Sequence, residues 1–173
     1  MKDKFISIYN KFSDSVFRYC IFRISDRDSA LDITQETFTK YWDCLAKGEK
    51  VKNDKAFIFT IARNLIIDHY RKKKTCSLDS MMDTEDENRV EEFVLIEDNK
   101  KYEIEMETEA RFLLNKIIEL PRSQQQIIYL RYVEGMKPDE IAKILGISVD
   151  ATSVRIHRGI EGLKKITGYD KNK

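Results

Sequence analysis

The chain has 173 residues, 42% of them apolar and 35% charged, which suits one soluble domain or two small ones. The charges inside MKDKFISIYNKFSD exclude a signal peptide or a membrane span at this end. Cys20, Cys44 and Cys76 lack the C-x-x-C spacing of a metal site and read as reduced thiols in a cytoplasmic protein. The net charge of +1 hides an uneven distribution: +6 over residues 1–74, −10 over 75–110 and +5 over 111–173. Two basic lobes, each suited to phosphate, are thus joined by an acidic strap.

Six glycines and two prolines leave room for helix almost throughout, and no stretch reads as a convincing strand. The first predicted helix runs to about Ile24, with Phe5, Ile8, Phe12, Val16, Tyr19 and Cys20 on its apolar face. The second runs from about Asp28 to Leu45. Ala30, Ile33, Thr37, Phe38 and Tyr41 face inward, and Asp32, Gln35, Glu36 and Lys40 form an outer ridge. Such a ridge can clasp an arginine-bearing partner helix or simply face water.

The third helix runs from about Lys55 through Lys74, with Asn53 or Asp54 able to cap it. Ile58, Ile61, Ala62, Leu65 and His69 make a buried stripe, while Phe57, Thr60, Asn64, Asp68 and Arg71 fall on another face. Asparagine is disfavoured in mid-helix, so Asn64 asks for a reason. An amide beside an aromatic ring can meet the edge and the face of an unstacked base. Arg71, Lys72, Lys73 and Lys74 add phosphate-binding charge at the helix end.

The strap, 75–108, has poor periodicity and reads as a tether. The second lobe should hold four helices. One runs from near Thr108 to Leu120, before Pro121. Another is capped by Ser123 and runs to Glu134, with Gly135 as its stop. A third starts at Pro138, and the last fades near Gly168. The stretch EIAKILGISVDATSVRIHRG, Glu140 to Gly159, reads as a helix-turn-helix. Gly146 ends its first helix in the left-handed region and Ser148 caps its second. Val149, Thr152, Ile156, Ile160 and Leu163 form the buried stripe of that second helix. Arg155, His157 and Arg158 remain outside, where a recognition helix meets the major groove. The expected fold is therefore all-α: a three-helix domain over 1–74, an acidic linker over 75–108, and a four-helix domain with a helix-turn-helix over 109–173.

DITQETFTKYW, FTIARNLIIDHYRKKK, ELPRSQQQIIYLRYVEGMKPDEIAKILGIS and VRIHRGIEGLKK together resemble, in order and spacing, the two-lobed sigma factors of bacterial RNA polymerase. The resemblance is to the compact extracytoplasmic-function (ECF) type, with only sigma regions 2 and 4, and it covers everything but the strap. It implies that Asp32, Gln35, Glu36 and Phe38 grip the clamp coiled coil of the polymerase's largest subunit. It implies that Asn64, with the loop Ala46 to Asp54, captures a flipped −10 base. Phe57 to Phe59 would occupy the place of the aromatic wedge that props the duplex open, with Arg71, Lys72 and Lys73 on nearby phosphates. The last helix would read the −35 element through Ser153, Arg155, His157 and Arg158, while its lobe docks on the flap of the second-largest subunit. An anti-sigma factor, able to hold the protein at the inner membrane, is implied as a further partner.

The chain departs from the family pattern in places. Phe57 stands where tryptophan is usual, Thr60 replaces a common basic residue, and Asp150 to Val154 replace a Gly-Thr-Val-basic-Ser run. The rival reading is a conventional helix-turn-helix regulator acting without polymerase, which accounts for the second lobe only. The two histidines stand far apart and the acidic residues lack metal-ligand spacing, so no enzyme activity, cofactor, metal or small-molecule substrate is expected.

Overall fold

The computed structural model describes residues 1–77 and 108–169. The chain divides into two compact units, Met1–Asp98 and Asn99–Lys173. The secondary structure of the described residues is helical, as the composition predicts. The acidic strap lies outside the described residues, apart from its ends.

The first unit is a three-helix bundle of α1 (Lys2–Ile24), α2 (Arg27–Ala46) and α3 (Asp54–Ser77), each packed on the other two. The Asp26 carboxylate accepts from the Ser29 amide at 2.9 Å and starts α2. At α3 the choice between two caps falls to Asn53, whose Oδ1 accepts from the Ala56 amide at 3.0 Å. Asp54 is thereby released for other partners: it accepts from the Tyr41 hydroxyl at 2.7 Å and pairs with Lys4 Nζ at 2.9 Å. Burial and the adjacent carboxylate both hold the Tyr41 hydroxyl protonated well above the usual phenol range. All three helices are tied at this point. Val16, Tyr19, Ile33, Tyr41, Ile58, Phe59 and Ile66 fill the centre. The Tyr70 hydroxyl closes the far end by donating to the Arg23 carbonyl at 2.6 Å. Cys20 is buried, and that burial pushes its thiol up to about 12, so it packs as a neutral apolar group.

The second unit contains α4 (Thr108–Ile118), α5 (Arg122–Ile128), a π-helical turn (Tyr129–Val133), α6 (Pro138–Leu145) and α7 (Val149–Thr167). Two expectations change here. Ser123 is not the cap: α5 already starts at Arg122, directly after Pro121. The start of α5 has no side-chain cap; Gln125 instead closes the end of the preceding helix, its side chain donating to the Ile118 and Leu120 carbonyls at 2.8 and 2.7 Å. Nor does a regular helix reach Glu134. The backbone widens at Tyr129, whose carbonyl accepts from the Glu134 amide at 3.1 Å. Across the junction of α5 with this turn, Ile127, Ile128, Tyr129 and Leu130 are all buried in sequence. Pro138 does open α6, and Gly146 ends it at φ +66°.

The buried side of α7 also differs from the expected stripe. Thr152 and Ile156 are buried, Ile160 and Leu163 are half-buried, but Val149 is 48% exposed. Gly159 takes up the contact. A Cβ built there would lie 2.6 Å from Cγ1 of Ile128, closer than packed atoms allow. One turn on, a Cβ at Gly162 would lie 2.7 Å from Cδ2 of Leu120 and 3.1 Å from Oε1 of Gln124, both far ends of side chains, where a small shift offsets the gain in helix propensity. Two glycines in an exposed helix would be a cost of about 1 kcal/mol each relative to alanine. Here one of them is required by packing. Gly159→Ala should therefore destabilise the second unit by about 1 kcal/mol, overpacking of ~1–3 kcal/mol outweighing the gain in helix propensity. Gly162→Ala should be close to neutral. Urea melts of the two variants followed by circular dichroism check the order.

Candidate functional sites

On α2, burial of Ala30, Ile33, Thr34, Thr37, Phe38 and Tyr41 turns Asp32, Gln35, Glu36 and Lys40 to solvent. The only described ion pair on this ridge joins Glu36 to Lys40 at 3.5 Å, an exposed i,i+4 contact worth a few tenths of a kcal/mol. It leaves the ridge free to exchange partners. Phe38 does not belong to the ridge. It is 2% exposed and meets Tyr9 edge-on at 4.9 Å between ring centres, so it packs the bundle and cannot grip another protein. The apolar residue that does stand on the ridge is Leu31, 47% exposed, one turn before Gln35. Leu31 and Phe38 are seven residues apart and so only about 20° apart around α2: Leu31 stands at the edge of the outward arc and Phe38 just inside the packed one.

On α3, Phe59 changes role in the same way. It is fully buried and packs on Tyr19 at 5.3 Å, so it supports the helix from inside and cannot wedge into DNA. Phe57 is half-buried, with its ring centre 6.4 Å from Tyr41. Asn64 is exposed, and its Oδ1 accepts a long 3.4 Å bond from Arg63 Nη1. Phe57 and Asn64 are seven residues apart, so they lie almost on one line along α3, about 10.5 Å apart along its axis. Arg71 and Lys72 are exposed further along the helix, and Arg71 pairs with Asp68 at 2.9 Å. Lys73 lies in α3, but its side chain is outside the described residues. The loop before α3 presents Lys47, Lys50 and Lys52 to solvent beside Gly48.

On α7, Ser148 Oγ accepts from the Ala151 amide at 3.1 Å and starts the helix. The buried Thr152 hydroxyl donates back to the Ser148 carbonyl at 2.9 Å and stiffens that start. Ser153, Arg155, His157 and Arg158 are all exposed. They do not share one face. At about 100° per residue, His157 and Arg158 lie on the outward arc with Asp150 and Val154. Ser153 and Arg155 flank that arc on opposite sides. Ser153 Oγ donates to the Val149 carbonyl at 3.0 Å, and His157 Nε2 lies 3.3 Å from Glu161 Oε1. The sequence reading missed Val154, 50% exposed in the middle of this arc. Among the described residues, no group of His, Cys, Asp and Glu is arranged to hold a metal ion, and no helix is long and apolar enough to cross a membrane.

The two phenylalanines of α3 should separate in solution. Phe59→Ala should cost the first unit about 3–5 kcal/mol, as for other buried aromatics, while Phe57→Ala should cost less than half as much. Chemical denaturation of the intact chain measures both.

The same elements are matched by comparison with known proteins. The family description Sigma-70 region 2 matches residues 8–75, and Sigma-70, region 4 matches residues 113–163. The ECF RNA polymerase sigma factor SigW of Bacillus subtilis is 30% identical over 173 residues, covering 95% of this chain and 89% of SigW. BldN of Streptomyces coelicolor, another ECF sigma factor, is 27% identical over 172 residues; the match covers 97% of this chain but 62% of BldN. Among solved structures, the sigma factor RpoE of Bartonella quintana, in complex with the anti-sigma factor NepR, shares the fold. Its TM-score is 0.68 at 22% identity, over 98% of this chain and 99% of that one. CnrH, in complex with the cytosolic domain of CnrY, is similar at a TM-score of 0.63 and 19% identity, over 98% and 91%. The region 2 match decides against a regulator that acts on duplex DNA alone, since that reading left the first unit without a role. With both regions matched in order around the ridge of α2, the exposed amide of α3 and the helix-turn-helix, the chain belongs to the ECF sigma factors, the RNA polymerase-binding factors that initiate transcription.

Proposed function

We propose that the two units divide promoter recognition between single-stranded and duplex DNA. In this reading residues 1–74 bind core polymerase and the −10 element, 109–173 read the −35 element, and 75–108 tether the two. The outer ridge of α2, Asp32, Gln35 and Glu36 with Leu31 in place of the buried Phe38, docks on the clamp coiled coil of the largest polymerase subunit. Carboxylates and amides on such a ridge suit arginine, and a half-exposed leucine supplies apolar area at its edge.

The observation that carries the −10 assignment is the line from Phe57 to Asn64. A partly covered ring and an exposed amide stand on one side of a helix whose other side is packed against α1 and α2. Extruding a base costs a few kcal/mol. Stacking on an aromatic ring returns about 1–3 kcal/mol, and the Asn64 amide adds selectivity at the base edge. The factor thus favours melted over paired DNA by differential binding, without covalent chemistry. Arg71 can exchange its exposed contact with Asp68 for a phosphate, because such pairs are held weakly. Lys72 is exposed beside Arg71, and Lys73 adds to the charge of the same helix end.

At the −35 element, α7 enters the major groove with His157 and Arg158 toward base edges. Arg155 and Ser153, on its flanks, hold the backbone on either side. The second unit also docks on the flap of the second-largest subunit. The factor works in the cytoplasm, where polymerase and DNA are. An anti-sigma factor restrains it, and the complexes of RpoE with NepR and of CnrH with CnrY support such a partner; where that partner is anchored, it holds the factor at the inner membrane.

Replacing Asn64 with alanine should slow open-complex formation about tenfold, read by permanganate reactivity of −10 thymines, while holoenzyme assembly stays at the level of the unaltered protein. Equal loss of both would make Asn64 a folding residue. Glu36→Lys should weaken assembly with core polymerase at least tenfold in a fluorescence titration. Unchanged assembly would remove the α2 ridge from the clamp contact.

A further inference from the structure

Val154 stands where the surrounding chemistry gives an apolar side chain no structural purpose. It is two residues from each of the buried Thr152 and Ile156, hence about 160° around α7 from both. It therefore points almost directly away from the body of the unit and is 50% exposed. Its neighbours on the outward arc are Asp150, His157, Arg158 and Glu161, all exposed and all polar or charged. Helix stability does not call for it either, since a β-branched residue is among the poorer choices at a solvent-facing helical position. The position lies in the first third of α7, the part of a recognition helix that approaches base edges.

We propose that Val154 is a specificity residue that reads the 5-methyl group of a thymine in the −35 element. The inference rests on α7 being the −35 helix. A valine side chain neither donates nor accepts a hydrogen bond. Of the base edges in the major groove, only thymine offers an apolar group there. Set against the amino group of adenine or cytosine, or the carbonyl of guanine, the two valine methyls would strip water from a polar atom and return nothing. Against the thymine methyl they bury apolar surface on both sides. Asp150, one turn earlier on the same row, sharpens the requirement. Its carboxylate is repelled by phosphate, so α7 cannot slide toward the backbone and must hold this row over the bases.

The test uses holoenzyme assembled from core polymerase and the full chain. A promoter library randomised upstream of a fixed −10 element is selected first. Each thymine of the enriched −35 element is then replaced singly by deoxyuridine, which removes the methyl and keeps every hydrogen-bonding group. At one thymine the replacement should lower affinity about fourfold, the effect of one buried methyl. Val154→Ala should abolish that sensitivity, and Val154→Thr, which keeps one methyl, should restore part of it. The proposal is overturned if no position responds to deoxyuridine, if the response survives Val154→Ala, or if the enriched element contains no thymine. It is equally overturned if Val154→Ala weakens assembly with core polymerase and leaves base preference untouched, which would make Val154 a protein contact. Failure to enrich any upstream sequence, with assembly intact, would instead remove the −35 role of α7 altogether, and the valine contact with it.

Discussion

The missing Cβ of Gly159 lets α7 press onto Ile128 of α5, and the orientation of the recognition helix follows from that contact. A helix rotated by one residue turns about 100°. If any other residue of α7 were to take the place of Gly159 against Ile128, His157, Arg158 and Val154 would no longer share the outward arc. The π-helical turn contributes to the same end. Across its junction with α5, Ile127, Ile128, Tyr129 and Leu130 are all buried and give α6 and α7 a continuous apolar surface to rest on. The first unit has a comparable device in Asp54. Because Asn53 takes over the capping of α3, the Asp54 carboxylate can hold Tyr41 of α2 and Lys4 of α1 together at the start of α3. The exposed line of Phe57 and Asn64 begins immediately above that junction.

Both units thus obey one rule: the buried face is chosen by packing, and the functional face is what remains. The rule explains why aromatic residues adjacent in sequence serve different ends. Phe57 and Phe59 are separated by about 200° around α3, so one can meet a ligand only if the other holds the helix down. Leu31 and Phe38 point almost the same way on α2, about 20° apart, and differ in what covers them: Phe38 lies against Tyr9 of α1, while Leu31 is left 47% exposed.

Division into two units suits the reading of a promoter in two chemical forms. A base held by stacking and by its edge requires a groove with one aromatic wall and one amide, and little else. Duplex recognition requires a rigid helix whose outward residues are all fixed in register. In the proposed reading these are different surfaces, one on each unit, and binding energy spent on the melted state shifts the balance from closed toward open DNA.

Much of this was legible in the sequence. Apolar periodicity located every helix of the first unit, the choice of Gly146 and Ser148 delimited the turn before α7, and the ordered motifs identified the family. Those signals are local: a helical period, a cap and a left-handed residue are all set by neighbours within a few positions. What the sequence left open, only tertiary structure decided. Ser123 looks like a cap, but α5 starts one residue earlier without a side-chain cap, and Gln125 reaches back to bond the carbonyls that end α4. Phe38 and Phe59 look like contact residues until their rings are found against Tyr9 and Tyr19. Val149 fits the apolar stripe of α7 by spacing, yet a glycine two turns and more away takes the central contact and leaves it in solvent. Each of these outcomes depends on where a second helix lies, and the distance at which two helices meet is a property of both partners, not of either one's periodicity.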